Sequence, residues 1–117
     1  MAREELEVID RAYELVKWFC GHVGRFPRSH RYTLGERMEG RLYDVLEGLV
    51  RARYAGRAGR IEELTAVNLH LETLRFMTRL CHDMRFLASG SYEHMARSLD
   101  EIGRMVGGWR RNQEAGG

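Results

Sequence analysis

Proline and lysine are almost absent from this 117-residue chain, with Pro27 and Lys17 the single example of each. Because proline breaks helix interiors, its scarcity leaves room for long helices. The two cysteines, Cys20 and Cys81, are too few and too far apart for a disulfide framework or a Cys-x-x-Cys site, so we interpret both as small core residues. No apolar run approaches the ~18 residues that span a bilayer. Charged residues from Arg3 onward argue against a secretory leader, and we expect a cytoplasmic protein with no membrane partner.

Apolar residues recur at three- and four-residue spacing along most of the chain, which is the pattern of amphipathic helices. Glycine-containing segments interrupt this pattern at residues 24–29, 56–60 and 88–91. The sequence therefore predicts four helices, over about residues 3–22, 33–56, 61–87 and 92–110. Short connections make sequential helices antiparallel. We predict one all-α domain over residues 1–117, an antiparallel up-down four-helix bundle.

The spacing also predicts which residues face the core. In the first helix the main stripe is Leu6, Ile9, Tyr13, Val16 and Cys20, widened by Val8, Ala12, Leu15 and Phe19. In the third helix the stripe includes Leu69, Met77, Leu80, Cys81, Met84 and Leu87, and in the fourth it includes Met95, Leu99, Ile102, Val106 and Trp109. On the wet side of the fourth helix, Arg97 with Glu101 and Asp100 with Arg104 have the spacing of ion pairs.

No short motif of a catalytic site is present. The sequence has neither a Gly-x-Ser-x-Gly elbow nor a glycine-rich phosphate loop ending in Lys-Ser or Lys-Thr. It also lacks the Glu-x-x-His pair of di-metal bundles. We predict a protein that is not an enzyme, with no catalytic residue, metal or cofactor. A metalloenzyme that uses His70, His82 or His94 is an alternative hypothesis.

Arginine dominates the basic residues: 18 arginines stand beside one lysine, while the net charge is only +2. Arginine binds phosphates and carboxylates bidentately, so local clusters are candidates for nucleic-acid or partner binding. A solvated face that reflects codon bias is the alternative interpretation. The candidate residues are Arg25, Arg28, Arg31, Arg37, Arg41, Arg75 and Arg79.

Three large apolar residues lie on helix faces that are predicted to be solvent-exposed. Trp18 lies beside charged residues of the first helix, while Leu71 and Phe86 lie on the Arg75–Arg79 side of the third. A monomeric bundle has little reason to expose such groups, so we predict an oligomer or partner interface at these positions. The alternative is that the third helix is buried on two sides.

Three segments resemble the accessory variability determinant (Avd) proteins of diversity-generating retroelements. They are RFPRSHRYTLGERM at residues 25–38, NLHLETLRFMTRLCHDMRFL at residues 68–87 and YEHMARSLDEIGRMVGGW at residues 92–109. The combination of Phe-Pro, Asn-x-x-Leu-Glu and Gly-Arg-Met-x-Gly-Gly-Trp is fairly specific. The chain is also similar to a broader group, the four-helix proteins encoded in intervening sequences of bacterial large-subunit ribosomal RNA genes.

The resemblance implies a four-helix protomer assembled as a ring-like homo-oligomer, a homopentamer. It implies a non-catalytic accessory protein that binds the retroelement's reverse transcriptase and its template RNA, with DNA as a second nucleic-acid ligand. Such binding would support mutagenic cDNA synthesis. The alternative function is a helical protein–protein interaction scaffold without nucleic-acid binding.

Overall fold

Four long helices make up most of the computed structural model, which describes residues 2–116. They are α1 (Ala2–His22), α2 (Glu36–Tyr54), α3 (Arg57–Asp83) and α4 (Ser89–Glu114). α1 and α3 each pack against both α2 and α4, so the helices follow one another around the bundle. The predicted all-α antiparallel four-helix bundle is confirmed.

Several predicted helix ends are wrong. α2 begins at Glu36, after a 3₁₀ turn at Val23–Arg25, a helical turn at Arg28–His30 and a π-helical turn at Arg31–Gly35. α3 begins at Arg57 and ends at Asp83, four residues earlier than predicted at each end. α4 runs from Ser89 to Glu114, so it begins three residues earlier and ends four residues later than predicted.

The end of α3 has a physical cause at Arg85, whose φ of 63° is left-handed. Its amide donates to the carbonyl of His82 at 3.0 Å, and the Phe86 amide donates to the carbonyl of Cys81 at 2.7 Å. These two bonds form a Schellman motif, which satisfies the last carbonyls and stops the helix. Glycine usually occupies the left-handed position, so this stop is not visible in the sequence.

The predicted core register is correct for α4. In α1 the main stripe is wrong although the residues predicted to widen it are buried, and in α3 most of the predicted stripe is wrong. In α1, Leu6, Tyr13 and Cys20 are exposed. In α3, Leu69, Leu80 and Met84 are exposed. In α1 the buried residues are Val8, Ala12, Leu15 and Phe19, which were predicted to widen its stripe. In α3 they are Leu64, Val67, Leu71, Leu74, Thr78 and Cys81, of which the predicted stripe included Cys81.

α2 and α3 approach each other closely and are held together at one end by an arginine. A Cβ on Gly48 would lie 2.5 Å from Cγ2 of Val67, so glycine allows the close approach. At the α2 C-terminus the Arg60 guanidinium donates to the carbonyls of Ala52 at 2.7 Å and Ala55 at 3.0 Å. It also donates to the side-chain oxygen of Gln113 at 3.3 Å, which ties this corner to α4.

Opposite burial of the two cysteines leads to a prediction about their reactivity. Burial raises the pKa of the Cys81 thiol to about 11, so on the order of 0.1% of it is thiolate at pH 8. Cys20 is exposed on α1. A chromogenic disulfide reagent at pH 8 should therefore modify Cys20 faster than Cys81 in the native chain and both thiols after denaturation. Equal rates for both cysteines in the native protein would contradict this burial pattern.

Candidate functional site

The seven arginines selected from the sequence lie in three separate places. Arg25, Arg28 and Arg31 lie in the connection between α1 and α2, and Arg37 lies in the first turns of α2. Arg41 lies where α2 packs on α3. The remaining two, Arg75 and Arg79, lie on α3. The structure does not gather the seven into one patch.

Three of these arginines already have partners within the protomer. Arg31 donates to the carbonyl of Gly24 at 2.6 Å. Arg41 donates to Nδ1 of His70 at 3.0 Å. Arg75 forms an ion pair with Asp100 at 3.1 Å and lies 3.6 Å from a carboxylate oxygen of Glu72. These contacts stabilise a turn and two helix–helix contacts, and they occupy guanidinium donors that a ligand would need.

The other four are more accessible. Arg79 is exposed and only 4.0 Å from Asp83 on its own helix. Arg25, Arg28 and Arg37 are exposed, and within residues 2–116 none of the three has a carboxylate within 4.0 Å. These three remain candidates for contact with an anion.

A second set of arginines was not among the binding residues predicted from the sequence. Arg97, Arg104 and Arg111 are exposed residues at seven-residue intervals on α4, and we call them the α4 arginine row. Seven residues are almost two helical turns, so the three side chains project from nearly the same side of the helix. The seven-residue repeat is present in the sequence, but the ion pairs expected with Glu101 and Asp100 implied that Arg97 and Arg104 were neutralised.

Both expected ion pairs on α4 are wrong. Glu101 binds Arg11 of α1, and Asp100 binds Arg75 of α3 at 3.1 Å. The carboxylates of α4 therefore stabilise contacts with its two neighbouring helices. Within the described residues 2–116, the three arginines of the row are left without a carboxylate within 4.0 Å.

An open groove of about 500 Å³ lies between α3 and α4, beside the last two members of the row, Arg104 and Arg111. Two glycines of α4 line it and leave space for guanidinium groups. A Cβ on Gly103 would lie 2.7 Å from Nη2 of Arg75, and one on Gly107 would lie 3.3 Å from Nη1 of Arg111. The other lining residues are Asn68, Arg104, Val106, Arg110 and Glu114.

The residues predicted for an interface need correction. Leu71 is buried in the core and does not reach the surface. Trp18 is half-buried and stacks on His22 with ring centroids 4.0 Å apart. Phe86 is half-buried and its ring lies 4.6 Å from that of His30. The exposure that motivated these three predictions is absent for Leu71 and reduced for the other two.

Two apolar surfaces lie elsewhere. The first, which we call the α3 outer face, is a stripe that points away from the core and comprises Leu69, Phe76, Leu80 and Met84. The second, the α1–α2 face, comprises Leu6, Tyr13, Tyr43, Val50 and Tyr54. Cys20 joins the two helices of this second face by a 3.5 Å contact with the Tyr43 hydroxyl. Hydrogen bonding to Cys20 and Glu39 raises the pKa of Tyr43, which therefore stays neutral.

The histidines of the metalloenzyme hypothesis lie apart from one another. His82 stacks on Tyr92, His94 lies against Trp18, and His70 accepts a hydrogen bond from Arg41. In the part of the chain that the structure describes, no group of three or more His, Cys, Asp or Glu side chains is placed to hold a metal ion.

Comparison with protein families gives a match over most of the chain. A family model described as bAvd-like matches residues 7–113. The chain belongs to the bAvd-like family. This agrees with the resemblance to Avd proteins seen in the three segments and indicates an Avd-type accessory protein.

A solved structure is similar to this bAvd-like chain over nearly its whole length. It is the crystal structure of a protein of unknown function from the S23 ribosomal protein family of Bacteroides thetaiotaomicron. The TM-score is 0.85 at 13% identity, covering 92% of this chain and 98% of the other. At this identity the likeness shows the fold, and it is consistent with the broader four-helix group. No curated protein matches the chain.

No helix within residues 2–116 is long and apolar enough to cross a membrane.

Proposed function

We propose that this protein is the accessory subunit of a diversity-generating retroelement. In this role it binds the element's reverse transcriptase and template RNA and thereby supports mutagenic cDNA synthesis. The observation that carries the proposal is the bAvd-like family match over residues 7–113. Exposed arginines without carboxylate partners, both at Arg25, Arg28 and Arg37 and along the α4 arginine row, are suitable contacts for phosphates.

We further propose that the protomers assemble as a ring-like homopentamer through the two apolar faces. Phe76 is 68% exposed and Leu69 is 66% exposed in the single chain, which is unusual for large apolar groups of a monomer. The α3 outer face and the α1–α2 face lie on different helices, so one can pack against the other on the next copy. Such head-to-tail contacts generate closed rings when the rotation between copies permits.

Introducing charge into the α3 outer face should abolish assembly. In Leu69→Asp with Phe76→Asp, both carboxylates would be buried without partners in the interface, which is strongly unfavourable. Both side chains are exposed in the protomer, so helicity should be unchanged. Light scattering should show the wild type as one discrete oligomer and the double variant as a monomer.

A control variant, Ser29→Asp with Asn112→Asp, adds the same charge at exposed positions outside both apolar faces. It should keep the oligomeric state of the wild type. A monomeric wild type at micromolar concentration would contradict the ring. A double variant with the same size as the wild type would instead show that the α3 outer face is not the contact.

Nucleic-acid binding is tested by titrating the protein against structured RNA and duplex DNA from low to high salt. Affinity that falls steeply with salt reports release of counterions from several neutralised phosphates. Negligible binding at every salt concentration would contradict this part of the function and favour the protein-interaction scaffold.

Binding to the polymerase needs a separate test. The chain is co-expressed with a tagged retroelement reverse transcriptase, and the complex is purified after nuclease treatment. Co-purification that survives the nuclease supports a direct protein contact. Loss of the chain after nuclease treatment would contradict that contact while leaving RNA binding intact.

A further inference from the structure

The α4 arginine row is a regular line of positive charge on the surface of the bundle. At 1.5 Å per residue, its three members are spaced by about 10.5 Å and extend over about 21 Å. A single strand of a duplex carries roughly six phosphates over that length. The row therefore matches an extended polyanion better than a small anionic ligand.

The carboxylates near the row are held by other arginines. Asp100 binds Arg75, and Glu101 binds Arg11. Glu114 lies 3.6 Å from Nε of Arg110. Glu93 lies near the start of α4, and Glu4, Glu5 and Glu7 of α1 line a groove that Arg111 also borders. Within residues 2–116, none of these carboxylates lies within 4.0 Å of a guanidinium nitrogen of the row.

The two sides of α4 differ in charge. Towards α3, the groove is lined by Arg75, Arg104, Arg110 and Arg111 and by one carboxylate, Glu114. Towards α1, the neighbouring groove is lined by three carboxylates, Glu4, Glu5 and Glu7, and by Arg111, which borders both grooves. An anionic strand that follows the row is therefore attracted to the α3 side and repelled from the α1 side.

We propose that the α4 arginine row and the adjoining α3–α4 groove bind the phosphodiester backbone of a nucleic acid. This inference rests on the proposed nucleic-acid-binding function and assigns it to one surface. The row contacts about every third phosphate of the strand, while Arg110 and Asn68 border the path of the strand. Gly103 and Gly107 leave room for the guanidinium groups of Arg75 and Arg111 in the groove.

The chemistry of this surface favours a backbone over an acidic protein. Val106 is the only apolar residue among those that line the groove, whereas the centre of a protein interface is normally rich in aromatic and apolar groups. Among the exposed Tyr and Phe side chains, Tyr13, Tyr43, Tyr54 and Phe76 lie on the two apolar faces, and Tyr32 lies in the connection between α1 and α2. With charge and no stacking platform, the row binds phosphates independently of base sequence.

The test compares two triple variants of equal charge. Arg97→Gln with Arg104→Gln and Arg111→Gln removes the row. Arg25→Gln with Arg28→Gln and Arg37→Gln removes the three accessible arginines that sequence reasoning selected. Each variant is titrated by fluorescence anisotropy with a 20-nucleotide unstructured RNA and a 20-base-pair DNA duplex, both longer than the roughly six phosphates that the row spans.

Loss of the row should reduce the slope of log affinity against log salt by about 3, or about 1 for each phosphate contact. Affinity should fall at least tenfold at ~0.1 M salt, and the other triple variant should lose far less. Replacing the same three row residues by lysine should restore the slope, because charge rather than shape sets it. A loss with one probe alone would support the proposal and identify which polymer the row binds.

Two results would overturn the inference in different ways. If the wild type binds and the row variant binds equally well, nucleic-acid binding stands but the surface is wrong. If the wild type binds neither probe at any salt, the nucleic-acid function fails together with the surface. The variants involve exposed side chains, and circular dichroism verifies that each remains folded.

Discussion

Replacing Leu71 by alanine should lower the free energy of unfolding by about 2–5 kcal/mol, the usual cost of truncating a buried leucine. Leu71 is 1% exposed and belongs to the core between the helices. Alanine removes apolar contacts and leaves a cavity that a rigid four-helix core fills only partly. Urea denaturation followed by circular dichroism measures the loss.

Leu69 provides the matched control, because it has the same side chain two residues away on α3 but is 66% exposed. Leu69→Ala should change the stability of the protomer by less than about 0.5 kcal/mol. Unfolding is measured at several chain concentrations, since only stability that comes from assembly depends on concentration. A larger concentration-independent loss of stability for Leu69→Ala than for Leu71→Ala would contradict the burial of Leu71 and the exposure of Leu69.

The second large effect is expected at Arg60, where Arg60→Met should lower the free energy of unfolding by about 2–3 kcal/mol. Methionine keeps most of the apolar stem but cannot donate to the carbonyls of Ala52, Arg53 and Ala55. These carbonyls belong to the C-terminal end of α2, where no further turn of helix satisfies them. The side chain of Gln113, which is buried on α4, loses a partner in the same variant.

Two other substitutions separate the role of geometry from that of charge. Arg60→Lys keeps the charge but lacks the planar set of donors, so it should recover only part of the loss. Arg51→Met removes an arginine of α2 that is 59% exposed and pairs with Glu47 at 3.3 Å. That variant should lose less than about 0.5 kcal/mol, because exposed ion pairs contribute little. Equal losses for Arg51→Met and Arg60→Met would contradict the capping role.

Helix number and order could be predicted because the glycine-containing breaks are clear in the sequence. The register of α4 could also be predicted, since Met95, Leu99, Ile102 and Val106 form its dominant apolar stripe and all four are buried. The helix ends could not be predicted as well from the sequence. The left-handed residue that ends α3 is Arg85, and no local preference identifies an arginine for that position.

The main buried stripes predicted for α1 and α3 are wrong because each of these helices has two apolar faces. Leu69 and Phe76 make a stripe as regular as the one made by Leu71 and Leu74, so periodicity alone cannot decide which is buried. The sequence did indicate that a large apolar group would remain exposed on α3. It assigned that exposure to Leu71, although Leu69 and Phe76 carry it.

The candidate site could be predicted only in outline. Arginine content and clustering indicated anion binding, but a sequence does not show which carboxylates reach across to a neighbouring helix. The sequence indicated that Arg75 is accessible, but in the structure it forms an ion pair with Asp100. The same ion pair leaves Arg104 without the partner expected on its own helix. Pairing between helices thus decides which arginines are accessible, and it follows from the packing.

The two-residue connection between α2 and α3 has a consequence for the order of folding. Only Ala55 and Gly56 separate the two helices, so bringing them together closes a very short loop at small entropic cost. Contacts such as Gly48 with Val67 then form between segments that are close in sequence, which favours rapid folding. We expect the α2–α3 hairpin to be structured in the transition state and α1 to dock afterwards. Substitutions between α2 and α3 would then slow folding, whereas those on α1 would accelerate unfolding.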